Sequence, residues 1–368
     1  MKILFISRTV YSGEKSGISV ATTLQYEMIK SILGNNCELF KVNPVKKKLP
    51  KKIWNYFWDK RYAGMTTEQE NIIIDKIRDE KFDIVYIDNS LWGFLAERIK
   101  NATNSKLYVF FQDIEYFRLK SIYKNYLKVN NFKSCLYYKM QFRLAEPNEK
   151  KIALYADKII NYNKRDSALL YKKYKRKSDN IIPIFLNNRN IEFDTYDSEL
   201  FDSKCTSLLF VGVSGYEPNI FGVRKFITEV IPYINANLYI IGKGMENYKT
   251  EFEKLSLKVN VVGTVESLDE YYTNADAVVI PIYSGGGMKL KTVEALMYGK
   301  TIFGTKEAFE GYDIDYSKVG GLCNTSLDFI NSINSYKPQK YNKNSRDIYI
   351  NYYSNIAVKK SFKEVFEK

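Results

Sequence analysis

The sequence predicts an α/β fold of two Rossmann-like domains facing across a cleft, with a C-terminal helix that packs back on the N-terminal domain. Three observations carry this expectation. The chain holds two series in which short apolar runs alternate with amphipathic segments, the pattern of strand–helix layers. A polar, turn-rich stretch, "LNNRNIEFDTYDSELFDSK" (186–204), separates the two series and has no apolar period. At 368 residues the chain is also too long for one ordinary core. The bounds that follow are a first domain at 1–187, a linker at 188–204, a second domain at 205–345 and a C-terminal helix at 346–368.

In the first series the strand candidates are "KILFIS" (2–7), "CELFKV" (37–42), "FDIVYID" (82–88), "KLYVFF" (106–111) and "KIINY" (158–162), with "SDNIIPI" (178–184) as a further one. Most are continuous apolar runs, which suits parallel strands covered on both faces. Helical periodicity appears at 18–33, 66–80, 91–100, about 114–156 and 164–175. The second series has strands "SLLFVGV" (207–213), "NLYIIG" (237–242), "VNVVG" (259–263), "DAVVIPI" (276–282) and "TIFGT" (301–305), with helices between them. The opening "MKILFISRTV" reads as a buried first strand, because Arg8 cuts its apolar run too short for a signal sequence.

Composition narrows the chemistry. With 45% hydrophobic and 27% charged residues the chain reads as globular rather than disordered. Cys37, Cys135, Cys205 and Cys323 lie far apart without a C-x-x-C pair, as reduced structural thiols of a cytosolic protein would. Histidine is absent, so no Ser-His, Cys-His or His-metal site can form. The net charge of +14 is concentrated: residues 1–190 carry +17 and residues 191–368 carry −3. The first half therefore suits an acidic partner.

"SGGGMKLKTVEALMYGK" (284–300) follows directly from the strand "DAVVIPI". Ligands of doubly wound sheets bind outside the carboxyl ends of strands, which is where this stretch falls. Glycines at 285–287 allow close backbone approach, and the helix behind them offers unpaired amides to an anion. Lys289 or Lys291 can add a full charge. The string is neither a Walker motif nor a dinucleotide fingerprint. Locally it is equally a plain strand-to-helix turn with solvated lysines. Glu294 can accept two hydrogen bonds from the vicinal diol of a ribose, or pair with Lys291 one turn away.

Two longer strings make the pattern specific. "FVGVSGYEPNIFGVRKFITEVIP" and "VVGTVESLDEYYTNADAVVIPIYSGGGMKLKTVEALMYGKTIFGTKEAFEGYD" resemble the nucleotide-sugar half of family 4 glycosyltransferases with the GT-B fold. They are most similar to the capsule and exopolysaccharide branch, with its G-x-G-x-K-x-K-x-x-E-A pattern. The likeness covers about 205–315; "FFQDIEYF" and "ALYADKIINYNKRDSALL" extend it loosely into the first half. The resemblance implies that Glu294 holds the donor ribose. It implies that backbone amides at Gly286, Gly287 and Met288 meet the diphosphate or the sugar, while Lys289 neutralises the leaving group. Gly212 would approach the phosphates, Gly263, Thr264 and Val265 would lie near the base, and Gly17 would sit under the sugar from the other domain. Three positions depart from the family pattern. Gly286 stands where many members have a second glutamate, Val213 and Tyr216 lie where an arginine–lysine pair is frequent, and Gln112 replaces a frequent histidine.

The family resemblance further implies a retaining transfer in which the acceptor attacks on the face that the diphosphate leaves, and a phosphate oxygen takes the proton. That scheme needs electrostatic stabilisation and no imidazole. Gln112 can hydrogen-bond a sugar hydroxyl but cannot shuttle a proton. Asp113 or Glu115 can serve as base in an inverting alternative, or simply lie at a helix start. No metal and no cofactor are expected; the nucleotide sugar, UDP-linked, is a substrate. The alternatives are a non-catalytic partner subunit of the same fold and a nucleotide-sugar epimerase.

"KVNPVKKKLPKKIWNYFWDKRY" (41–62) has eight basic residues and one acid beside its aromatics. Lys46, Lys47, Lys48, Lys51, Lys52, Trp54 and Trp58 are its candidates for contact with an anionic bilayer. A second stretch, 118–143, has seven basic residues and no acid. The alternative for both is a solvated charged face. No nucleic-acid-binding motif appears. The expectation is a cytoplasmic enzyme, peripheral on the inner face of the membrane, acting on a glycan or lipid-linked acceptor.

Overall fold

The computed structural model describes residues 1–11, 16–43, 60–61, 65–128, 130–189, 191, 200–201 and 205–367. The membrane candidates Lys46, Lys47, Lys48, Lys51, Lys52, Trp54 and Trp58 lie outside the described residues. Two compact units divide the chain: Met1–Pro183 with Lys359–Lys368, and Ile184–Val358.

In the first unit, β1 (Ile3–Ser7), β2 (Cys37–Lys41), β3 (Ile84–Ile87), β4 (Lys106–Phe111), β5 (Lys158–Asn161) and β6 (Asn180–Ile181) form one sheet. Their order is β2-β1-β3-β4-β5-β6, every pair parallel. The helices are α1 (Gly17–Leu33), α2 (Thr67–Glu80), α3 (Gly93–Ala102), α4 (Glu115–Lys128), α5 (Phe132–Tyr155) and α6 (Lys164–Tyr174). Every residue of β1 and β3 is buried, as strands covered on both faces must be. The period of two sorts them. Leu4, Ile6, Val85 and Ile87 join Ile77, Leu95 and Ile99 in one core cluster. Phe5, on the other side, stacks on Tyr86 at 4.9 Å.

One expected element divides. The periodic run at 114–156 forms two helices, not one, because the chain turns at Asn130 and Asn131. Asn130 takes a left-handed φ of 53°, a conformation asparagine tolerates, and Asn131 caps α5 by accepting from Ser134 N. The helices fold back on each other through ring contacts, Tyr126 on Tyr138 at 5.4 Å and Tyr123 on Phe142 at 5.6 Å.

The second unit holds β7 (Thr206–Val211), β8 (Ala236–Ile241), β9 (Val259–Gly263), β10 (Ala277–Ile280), β11 (Thr301–Gly304) and β12 (Gly320–Leu322). These are also all parallel, in the order β12-β11-β10-β7-β8-β9. Its helices are α7 (Glu217–Glu229), α8 (Lys249–Leu255), α9 (Asp269–Asn274), α10 (Leu290–Met297), α11 (Tyr316–Val319), α12 (Ser326–Asn334) and α13 (Lys343–Ile348). Strand β12 goes unread in the sequence because "GGL" offers no apolar run. The last helix, α14 (Asn355–Phe366), ends in the first unit as expected. Phe366 stacks on Tyr108 at 6.1 Å, and Lys158 Nζ donates to Val365 O at 2.6 Å.

Both strand orders reverse direction once. The switch point falls between β1 and β3 in the first sheet and between β7 and β10 in the second. Crevices for ligands open at such points, outside the carboxyl ends of the strands.

Candidate active site

In the second unit the two strands that flank the switch point are followed by Gly212 and by the glycine loop 284–289. Gly212 lies against the side chains of two residues distant in the chain. A Cβ there would sit 2.8 Å from Asn219 Nδ2 and 2.9 Å from Lys291 Nζ, so a side chain would push both groups from their places. Asn219, in the first turn of α7, orients this corner: its Nδ2 donates to Val213 O at 2.8 Å. Its Oδ1 accepts from Lys291 Nζ at 2.8 Å, and the same amine lies 4.3 Å from the Phe210 ring centroid. Lys291 thus reaches from α10 across the switch point to the loop after β7. Burial pushes its amine down to about 7, with Lys289 adding to the depression and Glu294 opposing it.

The glycine loop is shaped by two residues in the left-handed half of the map, Gly285 at φ 153° and Gly287 at φ 62°. Lys289 holds the loop shut on itself. Its amine donates to Gly286 O at 3.0 Å and Gly287 O at 2.9 Å, and pairs with Glu307 Oε1 at 2.7 Å. Tyr312 OH donates to Lys289 O at 2.7 Å and fixes the same residue from the other end. Lys289 is also the N-cap of α10, and it makes no side-chain cap bond. The first amides of α10 are therefore left to a ligand or to solvent.

Glu294 sits one turn into α10, half-buried, and its Oε2 accepts from Tyr272 OH at 3.1 Å. Burial raises its carboxyl, against the pull of Tyr272, Lys291 and Arg189. The anticipated one-turn bond between Lys291 and Glu294 gives way to these separate partners, Asn219 and Tyr272. Tyr272 is itself stacked on Tyr298 at 4.7 Å with rings 2° from parallel, and Tyr298 OH donates to Asp269. Further along the same strand ends, Gly263 closes β9 and Thr264 follows it, where Thr264 Oγ1 bonds both oxygens of Glu246. Val265 comes next and is half-buried, and Met288 is buried beneath the loop.

The first unit's switch point has a different character. Gly17 opens α1 behind Ser16, whose hydroxyl accepts from Ser19 N while Ser19 Oγ accepts from Ser16 N, a closed capping box. Asp88, just past β3, is buried and accepts from Ser7 Oγ at 2.8 Å. Burial pushes its carboxyl up to about 6, with Ser7, Thr22 and Thr9 opposing. Gln112 Nε2 donates to Thr22 Oγ1 at 2.7 Å. Asp113 and Glu115 share Arg118, at 3.7 Å and through bonds of 2.7 and 2.8 Å respectively. Glu115 begins α4, and Glu149, buried and pushed by that burial to about 8, caps the same helix by accepting from Glu115 N and Tyr116 N.

Asn219, Glu307 and Tyr272 are site residues that the sequence does not single out, since each is defined by a partner distant in the chain; Lys291 it offers only as an alternative to Lys289. Among the described residues no group of three or more Cys, Asp or Glu is placed to hold a metal ion.

Residues 205–324 match the protein-family model described as Glycosyl transferases group 1. No curated protein matches the chain in sequence. Among solved structures it is similar to the lipopolysaccharide outer core galactosyltransferase WaaB in its apo form, with a TM-score of 0.67 at 16% identity over 100% of this chain and 99% of that one. It is similar to sucrose-phosphate synthase from Thermosynechococcus elongatus, at 0.70 and 14% over 100% and 98%. A third is Anabaena HepE in complex with UDP and glucose, at 0.65 and 14% over 100% and 99%. At such identities the likeness is one of fold, and that fold is GT-B. The group 1 domain match and this fold together support a glycosyltransferase.

Proposed function

We propose that the chain transfers a sugar, with retention of anomeric configuration, from a UDP-linked donor to a glycan or lipid-linked acceptor of a surface polysaccharide or glycoconjugate. The observation that carries the reading is the pairing, at one switch point, of an uncapped helix start with a lysine amine beside Gly212. A diphosphate offers the negative charge that both would stabilise. HepE, of the same fold, is described in complex with UDP, and this supports the choice of nucleotide.

In this reading Lys291 is the diphosphate cation, and Lys289 shapes the loop whose amides at Gly286, Gly287 and Met288 meet the leaving group. Glu294, aimed by Tyr272, takes the ribose hydroxyls; Gly263 to Val265 border the base. The leaving diphosphate accepts the proton of the acceptor hydroxyl, so no imidazole is needed. Gln112 contacts an acceptor or sugar hydroxyl in the first unit. Asp113 and Glu115 are both engaged by Arg118, which favours retention over inversion. The positive charge of the first half points to an anionic membrane surface that presents the acceptor.

A thermal-shift screen of nucleoside diphosphates and nucleotide sugars tests the donor assignment. UDP and its sugars are expected to raise the melting temperature, by about 2.7 kcal/mol of added stability at a hundredfold excess over Kd. A flat screen sinks the reading. Gly286, in place of a frequent glutamate, favours a second reading, the non-catalytic partner subunit. Nucleotide binding with no donor turnover or hydrolysis under any acceptor selects it.

A further inference from the structure

The α4–α5 hairpin presents exposed cations, Lys124, Lys133 and Lys139, and exposed apolar side chains around its turn. From Arg118 to Arg143 the sequence has seven Lys or Arg and no Asp or Glu. The inner faces are zipped by rings, Tyr123 against Phe142 and Tyr126 against Tyr138. Between Cys135 and Leu144, α5 buries no side chain fully. Beside the turn, whose Asn130 and Asn131 are exposed, four apolar side chains face outward: Phe132 is 78% exposed, Leu136 63%, Tyr137 56% and Leu127 45%. Phe132 and Leu136 are one turn apart and share a face. Lys139 continues that face about 5 Å further along the helix, at ~1.5 Å per residue. Lys124 and Lys133 are exposed beside the same turn.

Exposed apolar side chains flanked by cations on both helices match the depth profile of an anionic bilayer, acyl boundary first and phosphates above it. Among the described residues no helix is long and apolar enough to cross a membrane, so the element would enter a leaflet rather than span it. We infer that the tip of this hairpin docks into an anionic leaflet. Phe132 and Leu136 enter the acyl boundary, and Lys124, Lys133 and Lys139 meet lipid phosphates. The inference rests on the membrane reading above and assigns it to a folded element distinct from the basic string at 46–52.

Flotation of the full chain with phosphatidylcholine vesicles, with and without phosphatidylglycerol, tests it. Three variants are compared with the parent chain: F132S/L136S, K124Q/K133Q/K139Q, and a glutamine replacement of the five lysines at 46–52. The first is expected to lower partitioning at least tenfold. The second should lower it by about fivefold per lysine, the equivalent of ~1 kcal/mol each. Unchanged melting temperatures show that both variants fold, as exposed positions permit. If the parent chain fails to float, the membrane reading itself is overturned. If it floats and only the 46–52 variant detaches, the membrane reading stands and the hairpin assignment falls. Equal binding to vesicles without phosphatidylglycerol overturns the assignment too, since the lysines would then have no counterpart.

Discussion

The two sheets are layered alike, yet their switch points are chemically opposite. In the first, the helix that follows β1 is closed by a serine capping box, and the nearest buried charge is a carboxylate, Asp88, wrapped in hydroxyls. In the second, α10 starts uncapped, and two lysines converge on glycine backbone. One junction is already satisfied from within; the other has positive potential to spare. The same strand–helix scaffold therefore says where a ligand can sit, while the caps and charges at the junction decide which ligand that is.

The sharpest way to break this contrast is to remove the cation at Gly212. K291M is expected to lower donor kcat/KM by about 10²–10³-fold, the scale of losing one preorganised donor to a developing anion. K289M should cost about tenfold less if it acts only by shaping the loop; steady-state turnover at saturating acceptor ranks the two. The charge state gives a second handle on the same residue. A lysine depressed to about 7 binds a proton more tightly once a diphosphate arrives, so UDP binding between pH 7 and 8 should take up protons in the parent chain and not in K291M. Calorimetry in buffers of different ionisation enthalpy reads this directly.

A smaller effect is expected at the ribose end. E294Q keeps an acceptor oxygen but loses the charge, and should raise donor KM by about 10-fold with a lesser change in kcat, as a ground-state contact does. Equal KM values for parent and variant would remove Glu294 from the donor site.

The smallest effect lies in the other unit and concerns stability, not turnover. Asp88 has a carboxyl raised to about 6 from an unfolded value of 3.8, so between those values the folded chain binds more protons than the unfolded one. Stability should therefore fall as pH rises from about 4 to 6, by on the order of 1–3 kcal/mol. D88N should flatten that slope and be the more stable protein at pH 7, as chemical denaturation at pH 4.5 and 7 would show. A parent chain with no slope would mean that the hydroxyls fully offset the desolvation.

How much of this was legible beforehand follows from range. Parallel strands buried on both faces announce themselves as apolar runs, so β1, β4, β7 and β10 are readable within a residue or two. The break at Asn130 is not, because two asparagines inside a long amphipathic run look like tolerated polar positions until Tyr126 meets Tyr138. The glycine loop and Glu294 are local signals after a strand and are read as such. The division of labour between Lys289 and Lys291 is not local. Two residues apart on one turn, they point to different sides, and only Glu307 on one side and Asn219 on the other distinguish them. Asp88 reads as the polar end of a strand; nothing in "YIDNS" shows the hydroxyls of Ser7, Thr9 and Thr22 that enclose it.

The membership of the last residues in the first unit has a consequence for how the chain is made. Ile184–Val358 is one uninterrupted segment, complete as soon as it has left the ribosome. The N-terminal unit, although synthesised first, waits for Lys359–Lys368, whose Phe366 covers Tyr108 and whose Val365 carbonyl engages Lys158. During synthesis the half born earliest is therefore completed after the half that follows it.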